Sequence, residues 1–167
     1  MRKHIYAGIL FAITLVLDVV TKSLVVSHLS LHERIDVLGT FVQFTLVYNE
    51  GGLFGILQGY QTLFFVISLI VLGLLVVLYV SERDRTPLFH YAMALIGSGA
   101  IGNILDRFMS MLNLSNRPGV VDFVYIGDDA FFRWPAFNVA DAVIVIGALL
   151  LIIVFYQEEK KRTKDSE

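Results

Sequence analysis

The chain has 167 residues, 56% of them hydrophobic, with a mean hydropathy of +0.72 and a formal net charge of −2. Soluble domains average roughly 45–50% apolar residues, so the composition points to a bilayer as solvent, and the charge gives no reason to propose nucleic acid. With no cysteine, disulfides, thiol nucleophiles and thiolate metal sites are excluded.

Crossing a bilayer takes roughly 20 apolar residues, and four stretches meet this: about 5–26, 63–80, 88–109 and 137–156. Met1-Arg2-Lys3 ahead of an apolar run has the look of a secretory signal. The run exceeds the roughly 7–15 residues of such a core and no small-x-small cleavage site follows, so it is expected to be a retained first span. Segment 35–57 is rich in Val, Phe, Thr and Tyr, with Gly39-Thr40 as a turn. It predicts a small hairpin or sheet able to cradle a substrate at the interface. Asn49-Glu50-Gly51-Gly52 follows as a loop, and the cradle and its Gly51-Gly52 portion are candidates for a mobile lid. Segment 113–135 predicts a short strand around 120–126, then a Gly127-Asp128-Asp129 turn. The charged tail 157–167 is expected to fray. The whole chain reads as one integral membrane domain over 1–167.

Positive charge sets the orientation. Arg2 and Lys3, then Arg83 and Arg85, then Lys160, Lys161, Arg162 and Lys164 fall on one side of a four-span chain. That side is expected to be the cytoplasm, with both termini inside. The polar residues in and beside the spans then gather at the outer face: Asp18 and Lys22 in span one, Asn103, Asp106 and Arg107 in span three, Asn138 and Asp141 in span four, and Asp122 just before it.

A carboxylate in a membrane segment is costly to keep, so it is a functional candidate. Asp141 lies one turn inside span four, where capping no longer accounts for it, and Asp122 is its natural partner. Two such groups suggest an acid–base pair sharing one proton. Asp18 and Lys22, four apart, share a helix face and read first as a structural ion pair or a snorkelling lysine. Asn103 and Arg107 share another face. Arg107 could grip a substrate carbonyl, hold a catalytic carboxylate ionised, or anchor the helix at the interface. Asp106 is expected to face elsewhere and pair locally. Asn138 suits an N-cap.

Other signals have plainer readings. The small residues of Gly97-Ser98-Gly99-Ala100-Ile101-Gly102 suit helix packing better than a serine nucleophile. His28 and His32 lack a third metal ligand. Asp128 and Asp129 suit solvated turn caps.

Five motifs in order resemble those of the lipoprotein signal peptidases, the signal peptidase II family of the bacterial inner membrane. Asp18-Val19-Val20-Thr21-Lys22 is similar to the family's D-x-x-T-K. Asn49-Glu50-Gly51 resembles N-x-G, and Gly99-Ala100-Ile101-Gly102-Asn103-Ile104-Leu105-Asp106-Arg107 resembles G-A-x-G-N-x-x-D-R. Val120-Val121-Asp122-Phe123 and Phe137-Asn138-Val139-Ala140-Asp141 are similar to the two catalytic motifs. Departures fall at Gly52 and Leu53, where the family often has Ala-Ala, and at Ala142, where it often has Ser.

The resemblance implies four transmembrane helices plus a small outer antiparallel sheet. It also implies an aspartic endopeptidase that cleaves diacylglyceryl-modified prolipoproteins before the lipidated cysteine. Asp122 and Asp141 would be its catalytic pair. Asn49, Gly51, Asn103, Arg107 and Asn138 would bind substrate or orient the pair, and Asp18 and Lys22 would hold the scaffold. No metal or cofactor is required, membrane lipid is the surrounding partner, and a monomer is the expectation. Two readings compete. A small proton-linked transporter would place polar residues along the full membrane depth, whereas the inner halves of spans two and four are almost wholly apolar. A non-enzymatic assembly factor would keep its function in Asp141→Asn.

Overall fold

The computed structural model describes residues 2–51, 59–82, 84–128 and 131–164. Gly52 and Leu53 of the loop, Arg83 of the charge pattern and Asp129 of the turn lie outside them. In chain order the elements are α1 (Arg2–His28), β1 (Arg34–Leu38), β2 (Val42–Asn49), α2 (Gln61–Ser81), α3 (Pro87–Met111), β3 (Val120–Asp128), β4 (Phe132–Phe137) and α4 (Val139–Lys164). All four helices are long and apolar enough to cross a membrane.

The first three predicted spans lie inside α1, α2 and α3. The predicted start of the fourth is too early, because Phe137 ends a strand and α4 starts only after Asn138. The tail departs further from expectation: it does not fray after Tyr156 but stays helical to Lys164. Its Glu and Lys residues are good helix formers, Lys161, Arg162 and Lys164 complement the C-terminal dipole, and Glu158 is paired with Arg85.

Helix α3 is the centre of the bundle, packed against α4, α1 and α2. It starts cleanly: the Thr86 side chain caps Phe89 N–H and Pro87 takes the first helical turn. Its seam with α4 depends on missing side chains. A Cβ at Gly99 would run into the Ala140 carbonyl and come within 2.7 Å of Ile144. One at Gly147 would lie 2.7 Å from Ile96 Cγ1 and 2.8 Å from Ala92 O. With no hydrophobic drive between helices in lipid, such close approach is what holds them together. Gly147→Ala is therefore expected to destabilise by about 1–3 kcal/mol, read as a lower melting temperature in detergent. Gly8→Ala, with nothing within 4 Å of the new methyl, should melt like the parent.

Helix α2 is attached differently, with no buried residue. At one end Gln61 donates to Ser110 Oγ (2.9 Å) and to Pro118 O (3.0 Å). One turn on, Phe65 stacks on Phe108. At the other end the Tyr79 hydroxyl meets His4 Nδ1 at 3.1 Å, beside the buried His90 ring. That end of the bundle is fastened by Arg85, which pairs with Glu82 (2.7 Å) and Glu158 and lies over Phe89 and Phe155. Lys3 donates to its carbonyl. The start of the chain, the α2–α3 turn and the end of α4 thus meet at one end of the bundle.

The sheet sits at the opposite end. Its order is β1-β2-β3-β4, antiparallel throughout. The expected hairpin is β1–β2, and Gly39 at φ +53° makes its turn. The expected strand is β3. Strand β4 was not foreseen, since Pro135 cannot donate to a ladder and argues against a strand. The sheet accommodates it at the edge, where pairing with β3 shifts register between Val124 and Ile126. Val121 of β3 joins Leu46 and Leu29 in a small core under the sheet. Phe131, Phe132 and Trp134 are exposed, as aromatic residues are at membrane interfaces.

Candidate active site

Antiparallel pairing places Val47 opposite Asp122 and Asn49 opposite Val120. Asn49 is therefore the diagonal neighbour of Asp122 on one face of the sheet. Its Nδ2 donates to Asp122 Oδ2 at 3.0 Å, while its Oδ1 accepts from Gly51 N–H at 3.0 Å. The Gly51 bond fixes which way the Asn49 amide points. Gly119 lets this happen: a Cβ there would lie 2.5 Å from Asn49 O.

Asn138 joins the two aspartates. It is wholly buried, and its Nδ2 donates to Asp122 Oδ1 at 2.7 Å. Its Oδ1 accepts from Asp141 N–H at 2.9 Å, and its own N–H donates to Asp141 Oδ2 at 3.2 Å. The last two bonds form a capping box, with Asp at the third helical position in place of the usual Glu. The expectation that capping does not account for Asp141 is thus corrected: one of its oxygens serves the helix start. The other, Oδ1, accepts from Asn103 Nδ2 at 2.8 Å.

Behind this layer lies a buried ammonium. Lys22, 2% exposed, sits 2.8 Å from Asp18 Oδ2 and 2.9 Å from Asp106 Oδ2, and donates to Asn103 Oδ1 at 3.0 Å. Asp18 and Lys22 do pair, as the spacing predicts. Asp18 also accepts from Ala140 N–H at 2.9 Å, capping the start of α4 from another helix. Gly102 leaves the space, since a Cβ there would strike the Asp18 carboxylate. Asp106 does not face elsewhere: it reaches Lys22 and accepts from Val121 N–H at 3.3 Å. Asn103, Asp106 and Arg107 are spaced three and four apart on one helix face, a signal that was present in the sequence.

Arg107 is half-buried and donates to Asn103 O at 3.4 Å, with Asp141, Asp122 and Asp106 all within its electrostatic reach. Elsewhere, His28 turns back onto Leu24 O and Asp128 ends β3 on the exposed side. Not every polar group lies at the site's depth. Thr14 donates to Ser98 Oγ at 2.7 Å deeper in the α1–α3 seam, and the His4–Tyr79–His90 cluster lies at the far end.

Burial pushes the Asp122 carboxyl up to about 7, and the nearby Asp141 charge adds to this; the amides of Asn49 and Asn138 and the Lys22 charge pull it the other way. A carboxyl in that range can hold a proton near neutral pH and release it within reach of a second carboxylate.

Four helices long and apolar enough to span a membrane, a sheet over one end, and a buried Asp122 linked through Asn138 to a half-buried Asp141 beneath it define a polytopic membrane protein with a carboxylate cluster at one end. A family model described as signal peptidase (SPase) II matches residues 10–157. The lipoprotein signal peptidase of Syntrophus aciditrophicus is 40% identical, the alignment covering 84% of this chain and 88% of that one. The lipoprotein signal peptidase of Shouchella clausii is 37% identical over 84% of this chain and 86% of its own length. A solved bacterial membrane enzyme superposes with a TM-score of 0.82 at 28% identity, covering 93% of this chain and 90% of the other. The chain belongs to the signal peptidase II family, and is a membrane peptidase.

Proposed function

We propose that this peptidase removes the signal peptide from diacylglyceryl-modified prolipoproteins, cleaving just before the lipidated cysteine, and that Asp122 and Asp141 are its catalytic pair. The observation that carries the dyad is the Asn138 bridge, in which one buried asparagine holds both the buried Asp122 and the half-buried Asp141 in one hydrogen-bonded unit. The substrate class follows the names of the relatives.

The chemistry needs one proton on the pair. The ionised carboxylate takes a proton from water as the oxygen attacks the scissile carbonyl carbon, and the protonated partner gives its proton to the carbonyl oxygen. Collapse of the tetrahedral diol breaks the C–N bond and sends a proton to the leaving amine, returning the pair to its starting charge. Asn49, Gly51, Asn103, Arg107 and Asn138 orient the peptide and the pair. The basic end of the bundle faces the cytoplasm, the pair lies near the outer face of the bacterial inner membrane, and one chain forms the working unit over its 1–167 domain. There the acyl chains stay in lipid while water reaches the bond.

The test uses purified enzyme and a synthetic diacylglyceryl-modified prolipoprotein segment, with the product identified by mass. A cut before the modified cysteine is expected, with far slower turnover of the unmodified peptide; equal turnover of both sinks the substrate assignment. The same assay yields the pH dependence. Below about 7 Asp122 keeps its proton, and above it that proton is lost. Cleavage should fall with rising pH about a midpoint near 7, approaching tenfold per unit. A rate that is flat from pH 6 to 9 contradicts the shared proton.

A further inference from the structure

The two aspartates arrive from separate elements, Asp122 on β3 and Asp141 on α4. Something must set how far apart and in what orientation those elements stand. Three groups do so from below, each by one bond. Asp106 holds the backbone N–H of Val121, next to Asp122. Asp18 holds the backbone N–H of Ala140, next to Asp141. Asn103 holds the Asp141 side chain itself. All three converge on a single atom, Lys22 Nζ, at 2.9, 2.8 and 3.0 Å respectively.

An ammonium has three donors and no acceptor. It therefore does more than pair charges. Asn103 Oδ1 faces two donors, Lys22 Nζ and Asn138 Nδ2, so a flipped Asn103 would set donor against donor. The amide is locked with its Nδ2 toward Asp141. We propose that Lys22, resting on the dyad reading above, is a positioning residue for the catalytic pair: through Asp18, Asp106 and Asn103 its ammonium fixes the separation of the two aspartates and the orientation of the donor that Asp141 receives.

Charged groups act on Lys22 from three elements, Asp18 on its own helix, Asp106 from α3 and Asp122 from β3, while Arg107 of α3 and Asp141 of α4 act on Asp122 and on each other. Its positive charge also reaches Asp122 and favours the ionised form. Removing it makes that proton harder to release, so the pH dependence of cleavage moves toward higher pH. A purely structural lysine would lower the amount of folded enzyme without moving the pH profile of what remains.

The experiment compares wild type, Lys22→Met and the charge-balanced double variant Lys22→Met/Asp18→Asn, beside Asp122→Asn and Asp141→Asn. The double variant guards against misfolding. Its amide at position 18 can still accept from Ala140 N–H, and one of the two carboxylates left facing an apolar side chain is gone. Melting temperature, kcat, KM and the pH profile are measured on the folded fraction. The expected result is a fall in kcat of about 100-fold, the scale of a misplaced reacting group, with KM within about threefold and a profile displaced to higher pH, persisting where the double variant recovers its melting temperature. Two results overturn the proposal: a folded Lys22 variant with kcat within about threefold of wild type, or activity that returns in step with melting temperature. If Asp122→Asn and Asp141→Asn cleave normally, the dyad reading falls and the proposal falls with it. If they are inactive while Lys22→Met is normal, only the proposal fails.

Discussion

Asp122→Asn and Asp141→Asn are each expected to reduce cleavage by about 10⁴-fold, the upper range for loss of a general acid or base. Asparagine keeps the shape but can neither take a proton from water nor give one to the carbonyl. The substitution is not silent in the fold. Asp122 accepts from Asn138 on one oxygen and Asn49 on the other, and Asp141 accepts from Asn103 and from Asn138 N–H. An amide has one oxygen, so each variant leaves a donor facing a donor, at about 1–3 kcal/mol. Substrate binding and melting must therefore be measured beside turnover. Folded, substrate-binding variants that do not cleave fit the dyad. Near-wild-type cleavage by either rules it out, and retained function in Asp141→Asn is what a non-enzymatic assembly factor would give.

The second large effect concerns stability. Asp18→Ala should destabilise the protein by about 3–5 kcal/mol, the range for breaking a buried ion pair from one side. The change strips Lys22 of a partner at 2.8 Å and leaves Ala140 N–H without its acceptor. The start of α4, which carries Asp141, then loses a cap supplied from α1. Asp18→Asn keeps an acceptor for Ala140 and should lose clearly less. Thermal unfolding in detergent gives the answer, and an Asp18→Ala protein melting within about 2 °C of the parent would show that the lysine does not depend on this pair.

Much of this was legible in the residues. Apolar runs of spanning length gave all four helices, because a bilayer demands long uninterrupted stretches. The cost of a carboxylate in lipid drew attention to Asp141, with Asp122 as its expected partner, and the polar residues expected at one end do meet there. What escaped were relations between distant segments. Strand β4 is visible only when β3 is there to pair with it, because Pro135 argues locally against it. Asp106 gains its meaning from Lys22, 84 positions earlier, and from the backbone of Val121. The N-cap at Asn138 is legible in the sequence, and so is the spacing that makes Asp141 its reciprocal partner, but a capping box ordinarily carries Glu or Gln at that position rather than Asp. The roles of Gly102 and Gly119 depend on what passes over them, which no local pattern records.

The manner in which α2 is hung has a consequence for life in different membranes. Its 21 residues make a rod of about 32 Å, close to the roughly 30 Å of a bilayer's hydrocarbon core, whereas α1 has 27 residues and α4 has 26. Bilayers vary by a few ångströms, and helices follow by tilting. Helix α2 buries no residue and is held by Gln61 and Phe65 toward one end and by Leu75, Leu78 and Tyr79 toward the other. It can lean to match a thinner or thicker membrane, and the mismatch is absorbed there. The α1–α3–α4 seam carrying the aspartates keeps its geometry.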